Sequence, residues 1–356
     1  MYQHGGDVYH YPGFTDFSAN INLLGPPLSV LEAVRNSAEE ICHYPQSGCE
    51  NLCRAIADLE QVPSRQVICG NGAAEVIFAL ALAVKPKKAL LFMPAFQEYE
   101  RALKSVDCEI VYQYLEQKNG FQYQKVPAEL DGSIDMVFFC NPNNPTGLLA
   151  EGIKMQKLLK KCEETGALLV VDECFMDFVE WEEQKNASVK GCLGSSEHLF
   201  LIKAFTKSFA IPGLRLGYGL SGNAGLLEQM QAVTQPWNVS VPAQEAGIAA
   251  ASEIDFLQKT RRKVDREKQF LLQELANFTA KKEGFFVKVY GSAANFIFFQ
   301  SVPGLSRELL KYKILLRDCS NFPGLSQGWY RAAVRAREEN RRFIEALKQI
   351  SLAQVK

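Results

Sequence analysis

The sequence predicts an α/β protein: a large domain with a mostly parallel seven-stranded sheet sandwiched by helices, followed by a smaller α+β domain. Three observations predict it. Seven short apolar runs recur at spacings of roughly 20–30 residues, with helix-like stretches between them, as in repeated strand–helix units. Most of these runs are continuously apolar rather than alternating, which suits strands covered on both faces. After residue 223 the texture changes to one long charged helical stretch and a few shorter strands.

The seven runs are QVIC (66–69), KALLF (88–92), CEIVY (108–112), DMVFFC (135–140), ALLVVD (167–172), HLFLIK (198–203) and RLGYGL (215–220). A charged helix is expected over 256–278, then strands at FFVKVY (285–290), ANFIFFQ (294–300), KILLR (313–317) and WYRAAV (329–334), then a closing helix over 337–350. The first 25 residues, rich in Gly, Asn and Pro, read as an arm rather than a packed element. The expected division is therefore an arm (1–25), a large domain (26–240) and a small domain (241–356).

Composition narrows the function. With 356 residues, 47% of them hydrophobic, the chain can bury a core large enough to split in two. A net charge of −1 gives no electrostatic reason to bind nucleic acid or an anionic membrane. The amino terminus lacks a basic start and an apolar stretch, and the longest apolar run, AEVIFALALAV (74–84), has the length of a buried helix. A cytoplasmic protein is expected. The ten cysteines are scattered without a CxxC pair, so reduced, buried thiols are expected and no metal site.

Five motifs carry chemistry. In AFTKSFAIPGLRLGY (204–218), Lys207 follows a short apolar strand, with Arg215 eight residues later in a Pro-Gly loop. A buried lysine loses proton affinity and becomes a nucleophile toward an aldehyde. CNPNNPTGLL (140–149) follows a strand and presents Asn144 where α/β sheets bind ligands. LLVVDECFMDF (168–178) ends an apolar strand on Asp172, whose carboxylate needs a partner if buried. ICGNGAAEVIF (68–78) runs from a glycine turn straight into a helix, a natural phosphate seat. MPAFQEYERAL (93–103) places Phe96 just after a strand end, where a ring can stack on a flat ligand. Alone, each has a plainer reading: a surface lysine, an Asx-Pro turn, a helix N-cap, an ordinary turn and a core aromatic.

Together, and in this order, the motifs resemble the aspartate-aminotransferase superfamily over nearly the whole chain. The resemblance implies pyridoxal 5'-phosphate as cofactor. It implies that Lys207 binds the cofactor aldehyde as a Schiff base and later moves protons, that Asp172 pairs with the ring nitrogen, and that Asn144 bonds the phenolic oxygen. It further implies that Phe96 stacks on the ring, and that the backbone at Gly72 and Ala73, with Thr206 and Arg215, holds the phosphate. Tyr44, in HYP, looks like the tyrosine that reaches the phosphate from the other subunit of a homodimer, and Arg331, in WYRAAVR, looks like the arginine that grips the substrate α-carboxylate. Two positions depart from many relatives: Phe175 stands where a tyrosine is usual, and Ala204 where Ser or Thr is usual.

Within the superfamily, HGGD (4–7), DFSANINLLGPP (16–27) and ILLRDCSNFPGL (314–325) resemble the threonine-phosphate decarboxylases of cobalamin biosynthesis, with the histidinol-phosphate aminotransferases as nearest cousins. That resemblance implies a phosphorylated amino-acid substrate whose anionic ends meet His4, Gly5, Asn20, Arg317 and Arg331. The expected reaction is loss of CO2 from O-phospho-L-threonine. The alternative is an aminotransferase on a phosphorylated substrate.

Overall fold

The computed structural model describes residues 4–278, 285 and 287–353. Phe286, inside the strand expected over 285–290, lies outside them. Seven strands lie side by side in the order Val67–Gly70, Gly217–Ser221, Leu199–Ala204, Leu168–Asp172, Met136–Cys140, Lys88–Met93 and Glu109–Tyr114. Gly217–Ser221 runs antiparallel to both of its neighbours, and the other pairs are parallel.

The continuous apolar runs have a direct cause. Side chains alternate across a strand, so each strand feeds two cores. Leu90, Phe92, Val137, Phe139, Leu169 and Val171 enter the core on one face. Ala89, Leu91, Met93, Met136, Phe138, Leu168 and Val170 enter the core on the other. Helices Ala73–Val84 and Glu98–Lys104 cover the second face, and Glu50–Glu60 and Gly152–Thr165 the first.

A four-stranded antiparallel sheet follows in the order Arg317–Asp318, Trp329–Ala333, Phe296–Ser301 and Val287–Val289. Helices Ile254–Ala276 and Arg337–Ala353 pack on it through Leu271, Leu275, Phe343 and Leu347.

Two local expectations change. KILLR is not one strand: Ile314–Leu315 pairs with Thr15–Asp16, and Arg317–Asp318 joins the four-stranded sheet. The chain switches partners at Leu316. The early residues are also not merely an arm, because Phe17 is fully buried and stacks on Phe343 at 4.8 Å. Asn22 donates to Ser208 O (2.7 Å) and Thr260 Oγ1 (2.8 Å), and its amide donates to Lys207 O (3.1 Å). A stretch rich in Asn and Gly lacks periodicity but can still satisfy backbone groups at a distance.

One buried charge network underlies the strand that leads to Lys207. Glu60 accepts hydrogen bonds from Lys203 (2.5 Å), Lys190 (2.9 Å) and Tyr218 (2.6 Å), and Lys203 also lies 3.3 Å from Asp177. Burial alone would raise the Glu60 carboxyl, but the two lysines outweigh it and hold it at about 2. No helix among the described residues is long and apolar enough to cross a membrane.

Candidate active site

The parallel strands all end on one edge, and that edge carries a cavity of about 190 Å³. It is lined by His4, Gly5, Asn20, Ala73, Phe96, Asn144, Asp172, Thr206, Lys207, Arg215, Arg317 and Arg331, among others. Segments scattered through the sequence thus converge at the carboxyl ends of the strands, where open α/β sheets take ligands. A larger hollow of about 580 Å³, bordered by Lys87, Asp135, Leu168 and His198, lies at the opposite ends of the strands and contains none of these residues.

Lys207 sits in the short helix Phe205–Ser208, which begins as soon as Leu199–Ala204 ends. Burial, reinforced by Arg331 and Arg215, lowers its ammonium to about 8. Asp172, the last residue of its strand, is also buried. Burial raises its carboxyl, while donors from the Cys174 amide (2.9 Å) and the Tyr99 hydroxyl (2.5 Å) pull the other way.

Gly72 caps the helix Ala73–Val84 with φ 84°, and a Cβ there would lie 2.5 Å from the Arg215 guanidinium. Its missing side chain brings the helix start and Arg215 together. Its amide, however, donates to Gly70 O at 2.7 Å. Ala73 and Ala74, the first residues of that helix, line the cavity. Thr206 is buried beside them. Arg215 is fixed by its own left-handed backbone (φ 56°) and by donating to Pro212 O at 3.0 Å.

Arg331 donates through Nη1 to Asn144 Oδ1 (2.5 Å) and through Nη2 to Ser18 O (2.8 Å), while its buried Nε has no partner. Arg317 donates to Asp318 O (2.7 Å) and Asn321 Oδ1 (2.9 Å), and its guanidinium lies over Phe322 at 5.1 Å. The two arginines are opposite each other across the antiparallel pair of strands, and both are buried. Among the described residues, neither has a carboxylate within ion-pair distance. Two like charges so placed repel. Asp16 favours the charged form of Arg331 and Asp318 that of Arg317, and an anion between the two would relieve the remaining repulsion.

The early residues form one wall. A Cβ on Gly5 would lie 2.3 Å from Ser18 O, so only glycine lets this segment press down. His4 lines the cavity with its Nε2 3.1 Å from Glu98. The buried Asn20 Oδ1 has no partner, and as an acceptor it suits a cation or N–H rather than an anion. Tyr44 stands outside the cavity, largely exposed and stacked on Trp237 at 4.4 Å. Phe175, in place of a tyrosine, lines the cavity and packs edge-on to Phe296 at 5.0 Å.

Sequence reasoning missed Tyr99, Ser18, Gln97, Cys174 and Phe322. Tyr99 lies three residues after Phe96 and so shares its side of the helix start, Gln97 directly follows Phe96, and Cys174 lies two residues after Asp172. Ser18 and Phe322 reach the cavity through contacts distant in sequence.

The aminotransferase class I and II family model matches residues 12–347. The chain belongs to that family. Its members depend on pyridoxal phosphate, and this chain is accordingly a pyridoxal-phosphate-dependent enzyme, a lyase or an aminotransferase. It is 35% identical over 339 residues to the threonine-phosphate decarboxylase of Salmonella typhimurium, spanning 94% of this chain and 90% of that one. It is 31% identical over 342 residues to the histidinol-phosphate aminotransferase of Methanothermobacter thermautotrophicus, spanning 93% and 87%. Among solved structures, the histidinol-phosphate aminotransferase of Clostridium acetobutylicum superposes with a TM-score of 0.85 at 29% identity, covering 95% of this chain and 99% of that one.

The residues present fit the cofactor. A half-buried amine, a buried carboxylate and a cradle of helix amides with a guanidinium border one cavity, and the absent Gly72 Cβ leaves that cradle open. Because only the neutral amine attacks an aldehyde, capture of pyridoxal phosphate by the apoenzyme should speed up with pH and level off above about 8, where Lys207 is deprotonated. Stopped-flow absorbance across pH 6–10 measures this, and Lys207→Ala should show no borohydride-fixable cofactor at any pH.

Proposed function

We propose that the enzyme removes CO2 from O-phospho-L-threonine, giving (R)-1-amino-2-propanol O-2-phosphate for the nucleotide-loop side chain of cobalamin. The carrying observation is the buried Arg317–Arg331 pair, with no carboxylate within ion-pair distance among the described residues, in the same cavity as Lys207. Two adjacent cations suit a substrate with two anionic ends, here a phosphate at Arg317 and an α-carboxylate at Arg331. The similarity to the Salmonella decarboxylase supports the same reading.

In this proposal Lys207 binds the cofactor aldehyde, Asp172 holds the ring nitrogen's proton, and Phe96 covers the ring face. Asn144 donates from Nδ2 to the phenolic oxygen, its Oδ1 being occupied by Arg331. Ala73, Thr206 and Arg215 hold the cofactor phosphate. The bound cofactor supplies an electron sink for the pair left on Cα. Arg331 and Arg317 would fix the two ends of the substrate, and that anchoring would select the Cα–carboxylate bond for cleavage. Lys207 Nζ then returns a proton to Cα. His4, Gly5 and Asn20 shut the cavity against water over the substrate. The division into an arm (1–25), a large domain (26–240) and a small domain (241–356), with a cytoplasmic location, belongs to the same proposal.

The active unit is proposed to be a homodimer with two-fold symmetry. An exposed Tyr44–Trp237 stack is an unusual surface feature, and Tyr44 would reach the partner's cofactor phosphate. Analytical ultracentrifugation of active enzyme at micromolar concentration should show a dimer. A monomer with full activity contradicts it.

A second reading, transamination of a phosphorylated amine with a keto acid, is favoured by the similarity to the histidinol-phosphate aminotransferases. One experiment separates the two. Carboxyl-labelled O-phosphothreonine without any keto acid should release labelled CO2 over many turnovers, and histidinol phosphate with 2-oxoglutarate should give little glutamate. The reverse outcome selects transamination. Independently, Arg317→Ala should weaken O-phosphothreonine by roughly 10- to 100-fold, the usual loss for a charge-assisted contact, while cofactor affinity is unchanged. An equal loss for threonine and its phosphate ester removes Arg317 from the phosphate site.

A further inference from the structure

We propose that Tyr99 is a positioning residue: its hydroxyl keeps Asp172 ionised and aimed, so that the cofactor's ring nitrogen retains its proton. The inference rests on the assignment of Asp172 to that nitrogen.

Tyr99 lies in the helix Glu98–Lys104, on the segment that follows the strand Lys88–Met93. It is 1% exposed. Its ring stacks on Phe138 at 5.0 Å with an interplanar angle of 19°, and meets Phe96 edge-on at 5.7 Å. Those contacts leave the hydroxyl little freedom, and it donates to Asp172 Oδ2 at 2.5 Å. The other carboxylate oxygen, Oδ1, accepts the Cys174 amide at 2.9 Å. The Cys174 thiol also bonds the carboxylate, and a carboxylate so placed still has lone pairs left for an N–H.

The physical need is plain. Burial favours the neutral carboxyl, and a neutral carboxyl cannot hold a pyridinium. Donors to the charged form oppose this. The titratable groups facing Asp172 are Tyr99, Cys140, Cys174 and Lys207. Burial raises both thiols and the phenol, so these three stay neutral near pH 7 and act only as dipoles. Cys174 contributes its backbone amide, which survives side-chain substitution, and its thiol, a weak donor. Tyr99 contributes the hydroxyl donor, and substitution by Phe removes that oxygen alone. Without it, the carboxylate in dry surroundings becomes more basic, and the shared proton moves from the ring nitrogen to Asp172. Tyr99 also touches Phe96, so one side chain sets both the ring-stacking phenylalanine and the carboxylate.

The test is Tyr99→Phe, which keeps both ring contacts and removes one oxygen. Apoenzyme is reconstituted with pyridoxal phosphate labelled with ¹⁵N in the ring, and the ¹⁵N shift reads the proton directly. The parent protein should show a protonated ring nitrogen, and Tyr99→Phe a shift displaced toward the unprotonated pyridine. Turnover number should fall about 10-fold with substrate KM within about 2-fold, as expected for loss of a hydrogen bond to a charged group. Asp172→Asn serves as the reference. If Asp172→Asn displaces the shift and Tyr99→Phe does not, the role of Tyr99 is overturned and the site assignment stands. If neither displaces it, the assignment of Asp172 falls and this proposal falls with it.

Discussion

Desolvation is the constraint on which the rest of the site depends. Lys207, Asp172, Arg317 and Arg331 all sit in one cavity, and only Lys207 is not fully buried by its own chain. Each is displaced toward its neutral form: the lysine to about 8, Arg331 to about 10, Arg317 also downward, and the aspartate upward. In every case burial is the leading cause. A lysine in water would be a poor nucleophile at neutral pH, and two guanidinium groups in water would have no need of an anion. Removing the water creates both the reactivity and the demand for a charged ligand.

The surrounding architecture holds these groups in place without neutralising them. Arg331 is held by two neutral oxygens, of Asn144 and Ser18, and Arg317 by two more, of Asp318 and Asn321. Carboxylates are used elsewhere. The Glu60–Lys203–Asp177 network is compensated internally and anchors the strand that delivers Lys207. Removing one partner of such a network typically costs about 3–5 kcal/mol, whereas an uncompensated guanidinium in the cavity is relieved by ligand. The same fold thus contains closely paired charges away from the cavity and, among the described residues, two guanidinium groups within it that have no carboxylate at ion-pair distance.

Much of this was legible in the sequence. The two-faced sheet follows from continuously apolar strands, and most site residues follow from motifs at strand ends. What was not legible has a common physical origin. The burial of Phe17 against Phe343, the split of KILLR between two sheets, and the arrival of Ser18 and Phe322 at the cavity all depend on partners distant in sequence. The inward bond of the Gly72 amide to Gly70 O was not legible for a related reason, since a glycine turn shows where a helix begins but not which amide the turn itself engages.

By itself, the sequence marked the candidate side chains for chemistry and the strand ends that present them, because strand periodicity and turn residues are local properties. It also placed the chain among enzymes whose lysine follows a strand end. Only the tertiary structure decided that Arg317 and Arg331 stand opposite each other, that Arg331 is tied to Asn144, and that Tyr99 reaches Asp172. Those relations depend on strand register and on packing between sheets, which set distances to within a hydrogen bond. No one-dimensional pattern encodes a distance between residues 73 or 187 positions apart.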